Sequence, residues 1–103
     1  MTPAATVSTL QRLEQWYEAQ CDGDWEHANG LAITSLDNPG WRLAVDLADT
    51  ALAAKSFPEH KRDYDHEKDW IICVVQDGKF QGHCGARQLD AMLQIFLAWA
   101  EES

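Results

Sequence analysis

The amino-acid sequence predicts an α+β fold: an antiparallel sheet of four or more strands, built from two hairpins, with an N-terminal and a C-terminal helix packed on one face. Three observations predict it. Helical periodicity is confined to the two ends of the chain. Strand-like apolar runs lie between them. Two turn signals, Asp37-Asn38-Pro39-Gly40 and Asp77-Gly78, sit between consecutive runs.

The elements follow in order. Residues 1–6 read as a frayed start. Ser8 with Gln11 is a capping-box pair, in which hydroxyl and amide satisfy free backbone donors at a helix start. Leu10, Leu13, Trp16 and Tyr17 share one face of that helix, which ends near Gln20, before Asp22-Gly23. Leu31–Leu36 is a β-prone run. In the turn after it, Asp37 and Asn38 bond their own backbone, Pro39 fixes φ and Gly40 admits φ > 0. Trp41, Leu43, Val45 and Leu47 then alternate with Arg42, Ala44 and Asp46, the pattern of a strand with one buried face. The segment Trp25-Glu26-His27 either begins the first strand or forms one of its own.

Residues 48–69 form a charged connector. Its first part, Ala48 to Lys55, is a short turn or loop, and Phe57 is placed to anchor the connector to the core. Residues 59–69 hold five acids, three bases and two histidines, and read as a solvated loop or a charge-protected edge strand. Trp70–Gln76 is apolar on both faces and therefore a central strand. Asp77-Gly78 turns it into Lys79–Cys84, where Gly82 marks a bulge or a close approach. Residues 87–101 form the last helix, with Leu89, Met92, Leu93, Phe96, Leu97 and Ala100 on its core face and Trp99 at the edge of that stripe. Trp16, Trp41 and Trp70 are read as core.

The 103 residues suffice for one domain, 1–103, and 46% apolar content allows one core. The net charge of −9, with 17 acidic residues against 8 Lys plus Arg, disfavours nucleic acid and anionic lipid and speeds association with cationic partners. Three cysteines argue against a closed disulfide framework. No secretion segment or membrane-length apolar run is visible, so a cytoplasmic setting is expected.

Chemistry is sparse. Cys84, ahead of the predicted helix start, with His83 beside it and Arg87 near, raises a small thiol- or metal-dependent enzyme as the alternative function. The motif lacks an anion-cradling loop, and a buried strand-end cysteine explains it as well. The histidines and cysteines show no C-x-x-C or H-x-x-x-H spacing, and no cofactor motif is present. The denser signal is Asp22, Asp24 and Glu26 crowded around Trp25. Acids beside a large aromatic suit a basic partner protein, although Trp25 serves equally as a lid on the first helix.

The segments LQRLEQWYEAQCDGDWEHANG, ITSLDNPGWRLAVDL, DWIICVVQDGKFQGHCG and LQIFLAWAEE resemble immunity protein family 53 of bacterial polymorphic toxin systems. The likeness runs from about Leu10 to Trp99 and is weakest over the connector. It implies a small cytosolic protein that binds and neutralises a toxin encoded beside it, with no catalysis and no cofactor. The expected contact surface is Asp22, Asp24, Trp25, Glu26 and His27, extended by Asp37 and by Asp63, Asp65, Glu67 and Asp69 of the connector. Trp25 is its aromatic anchor, and the carboxylates meet Lys and Arg of the toxin. A monomer or a homodimer is compatible with the sequence.

Overall fold

The computed structural model describes residues 8–62 and 69–101. The frayed start assigned to residues 1–6 lies outside them. So do Asp63, Asp65 and Glu67.

Helix α1 spans Thr9–Gln20, and the predicted capping box is formed: the Ser8 hydroxyl accepts from Gln11 N, and the Gln11 amide oxygen accepts from Ser8 N. Five antiparallel strands follow: β1 (Leu31–Leu36), β2 (Gly40–Asp46), β3 (His60–Arg62), β4 (Ile71–Gln76) and β5 (Lys79–Gly85). A one-turn helix, α2 (Trp25–Ala28), precedes β1, and α3 (Leu89–Glu101) ends the described chain. The strand order is β1-β2-β5-β4-β3, so the two hairpins join through β2 and β5. Of the two alternatives open for the connector, residues His60–Arg62 take the edge strand, β3; residues 63–68 lie outside the described residues.

The register sorts the side chains. Leu43 pairs with Gly82, Val45 with Phe80, Trp41 with Cys84, and Cys73 with Gly82. These residues therefore face the same side as Ile33, which pairs with Leu43. That side carries α3, whose Met92, Phe96 and Leu97 are fully buried with Leu43, Val45, Ile71, Cys73, Phe80 and Cys84. Helix α1 packs chiefly on α3 and sends Leu13 into this core. Gly82 is a close approach: a methyl group there would stand 2.7 Å from Met92 Sδ. Phe57 anchors the connector between Phe80 and Trp99, each at 5.2 Å.

Several expectations are corrected. Gly40 is required by space and not by a positive φ, since an added Cβ would lie 2.2 Å from the Cys84 carbonyl oxygen. Of the two hairpin turns, the one with positive φ is the β4–β5 turn, at Asp77 (57°) and Gly78 (74°). Trp25-Glu26-His27 is helical rather than extended. Leu10 is 57% and Tyr17 38% exposed, because α1 turns residues 9, 13, 16 and 20 inward and residues 10, 14 and 17 outward. Trp70 precedes β4 and is half-buried, outside the set of side chains packed on the core; its carbonyl accepts from Gly85 N, which gives it the parity of Ile72 on the uncovered face. Trp99 is buried within the core, where its indole N–H donates to the Ser56 carbonyl.

Candidate interaction surface

The turn from Cys21 to Ala28 is built by its own acids. Gly23 takes φ +96°, a conformation open to glycine, and reverses the chain after α1. The Asp22 carboxylate accepts from Asp24 N and Trp25 N, both at 2.9 Å. The Glu26 carboxylate reaches back to Asp22 N and Gly23 N, both at 3.0 Å. These bonds close a side-chain-to-backbone turn just ahead of Trp25–Ala28, whose N-cap residue Asp24 makes no side-chain cap bond. Backbone N–H groups of Trp25 and then Asp24 hold Asp22 below the usual carboxylate range. Glu26 is held low chiefly by its own backbone N–H, with Asp22 and Gly23 adding to it against an opposing effect of desolvation. Both are ionised at neutral pH.

Trp25 is the lid. It is 5% exposed, its indole N–H donates to the Ala48 carbonyl at 2.8 Å, and its ring meets Trp16 at 6.3 Å and Tyr17 at 6.1 Å. A ring so placed cannot anchor a partner without leaving its site. The exposed aromatic of this region is Tyr17. Glu14 and Glu18 flank it on the same helix, Glu26 acts on its phenol through charge, and Asp22 and Asp24 lie in the turn that follows α1. Among the described residues no Lys or Arg forms an ion pair with any of these five carboxylates. The result is an acidic surface with an aromatic centre, beside a 270 Å³ cleft lined by Leu13, Glu14, Tyr17, Gly30 and Leu31. His27 is exposed at its margin.

The other predicted contact residues lie elsewhere. Asp37 is exposed in the β1–β2 turn, and Asp69 precedes β4 with its carboxylate accepting from the Gln88 amide at 3.1 Å. The register sets both at the Gly40–Gly85 end of the sheet, whereas the Asp22–His27 turn is tied to the Asp46–Ala48 end through Trp25 and through Gly30, whose N–H meets the Asp46 carboxylate. Six residues of strand, roughly 20 Å, separate those ends. Helical spacing groups Tyr17 with Leu10, Leu13 and Trp16 and gives no reason to set Glu14 and Glu18 beside the Asp22–Glu26 turn. Their signal is the seven-residue spacing of Leu10 and Tyr17 with Glu14 between them.

The arrangement required of a thiol enzyme is missing at Cys84. The residue lies inside β5, five residues before the first residue of α3 rather than at a helix N-terminus. It is fully buried, and burial pushes its thiol up to about 11, so it is protonated at neutral pH. His83 points to the opposite face of the strand, where desolvation, then Arg42, lowers its pKa. Among the described residues no three His, Cys, Asp or Glu side chains gather as a metal site. Nor is any described helix long and apolar enough to cross a membrane.

A family model described as Immunity protein 53 matches residues 10–101. No curated protein matches the chain, and no solved structure does.

Proposed function

The chain belongs to the immunity protein 53 family, and on that premise we propose that it binds a cognate toxin stoichiometrically and neutralises it through the acidic face of α1 and α2. The observation that supports this face is the group of five carboxylates around exposed Tyr17 with no described cation paired to them. Unpaired exposed charge of one sign is a steering surface: it raises the encounter rate with a cationic partner and selects its orientation. Asp22, Asp24, Glu26 and His27 belong to the contact, with Glu14 and Glu18 extending it and Tyr17 in the place first assigned to Trp25. The toxin that fits is one with a basic, phosphate-binding surface, as a nuclease has. Carboxylates on this face then occupy the positions of phosphates and block access to the site.

Calorimetric titration with the C-terminal domain of the toxin encoded beside this gene, at two salt concentrations, tests the proposal. Nanomolar binding that weakens with salt, and weakens again in the Glu14→Lys, Glu18→Lys double variant, is the expected result. Salt-independent binding, or an acidic toxin surface, would overturn the phosphate-mimicry part. Absence of binding at either salt would overturn the whole.

A further inference from the structure

We infer that β1 is a docking edge, to which an extended basic segment of the toxin adds as a further antiparallel strand; this rests on the toxin-binding reading above and names the backbone it uses. The inference begins with hydrogen bonds. Asp46 N donates to Gly30 O at 2.9 Å, and bonded and non-bonded pairs alternate along an antiparallel ladder. Ala32, Thr34 and Leu36 therefore spend their backbone groups on Ala44, Arg42 and Gly40. Leu31, Ile33 and Ser35 turn their N–H and C=O groups away from β2, and no partner meets those groups among the described residues. The bonds from Leu47 N to Gly78 O and from Gly85 N to Trp70 O give the same alternation across the rest of the sheet.

Natural sheets blunt such an edge with charge, proline, a bulge or shortness. Leu31-Ala32-Ile33-Thr34-Ser35-Leu36 has none of these: it is six residues long, uncharged, free of proline and in unbroken register with β2. The ground beside it is shaped as well. A strand laid along β1 directs alternate side chains toward the helices, where the cleft between α1 and β1 is lined by Leu13, Tyr17 and Leu31. An apolar side chain fills that cleft. Glu14 on its wall and Glu18 one turn on receive a Lys or Arg from the same segment. Charge also decides against the other natural occupant of a free edge, a second copy. Pairing β1 with β1 brings two chains of net charge −9 together, each with Glu14 and Glu18 beside the joint. This is strand addition, in which main-chain bonds give affinity and alternate side-chain pockets give specificity.

Amide hydrogen exchange by NMR, on the free protein and on its complex with the C-terminal domain of the neighbouring toxin, tests the inference. In the free protein the Leu31, Ile33 and Ser35 amides exchange fast and Thr34 exchanges slowly. In the complex all three fast amides slow at least tenfold. The Ser35→Pro variant removes one outward donor from an exposed position without touching the β1–β2 bonds, and weakens toxin binding by roughly tenfold or more. Ser35→Ala keeps the donor and binds like the parent. Tight binding with the three amides still exchanging at their free rates, or with Ser35→Pro unaffected, overturns strand addition and leaves the acidic-face reading standing. Slow exchange at all three in the toxin-free protein, with a dimeric mass in solution, makes a second copy the occupant and overturns it too. No toxin binding at all overturns both readings. Should Ser35→Pro fail to fold, the exchange data on the unaltered protein decide.

Discussion

Among the described residues, strand β3 closes one edge of the sheet with His60, Lys61 and Arg62, and β1 closes the other with six residues, none of them charged. The short edge carries cations along its backbone, and Lys61 lies 3.1 Å from Glu59. The long edge carries no comparable protection and has an acidic, cleft-bearing wall beside it. The two edges face the same physical hazard, since both expose backbone donors and acceptors to any passing strand. Only one is blunted. The difference argues that the openness of β1 is local and tied to what stands next to it, namely α1, the Asp22–Glu26 turn and the Trp25 lid.

The largest test of that comparison removes the lid. Trp25→Ala deletes a buried ring that ties α2 to Ala48 and covers Trp16, and should cost about 4 kcal/mol in urea unfolding. A loss below about 1 kcal/mol would show that the wall beside β1 does not depend on Trp25. The next test loosens the seam that carries the β1–β2 hairpin. Gly40→Ala forces a methyl group onto the Cys84 carbonyl, a backbone atom that cannot yield without parting β2 from β5, and should destabilise by about 3 kcal/mol. Gly82→Ala meets the thioether of Met92, which can turn aside, and should cost nearer 1 kcal/mol. Equal thermal shifts for the two glycine variants would contradict the distinction between backbone and side-chain obstruction.

A smaller effect comes from acid. Asp22 and Glu26 have folded-state pKa values below their unfolded ones. Their contribution is therefore complete above the unfolded values and is lost as pH falls through the folded ones, which lie below the ordinary carboxylate range. Titrating Trp25 fluorescence should reveal a step in that window, and Asp22→Asn should diminish it. An unchanged step in the variant would detach the turn from these carboxylates. The smallest effect belongs to Arg12 and Glu101, which join α1 to α3 at 2.6 Å on the surface. Arg12→Ala should change stability by about 0.5 kcal/mol, less in high salt, and leave β1 exchange untouched.

Much of the fold was legible because its signals are local. Ser8 and Gln11 announce a helix start, Asp77-Gly78 announces a tight hairpin, and the alternation over residues 41–47 announces a strand with one buried face. The site was legible only in outline. Its acids stand out by composition, but their work does not: Asp22 and Glu26 hold a turn together while also presenting charge. Trp25 is buried and Tyr17 exposed, against expectation, because helical spacing ranks side chains around an axis without saying how wide a stripe the neighbours cover. Here α1 rests mainly on α3, the covered stripe is narrow, and Tyr17 falls outside it while Trp25 folds back beneath.

By itself the sequence determined the α+β class, both hairpins, the two terminal helices and the family likeness. Each of these depends on short-range spacing, turn chemistry or residue strings that survive without a tertiary context. Tertiary structure alone decided that the hairpins join through β2 and β5, and that Gly40 is needed for room. It alone buried Trp25 and left β1 open beside an acidic cleft. Those outcomes depend on which surfaces meet across long stretches of chain, and pairwise meetings of that kind leave no periodicity in the sequence to be read.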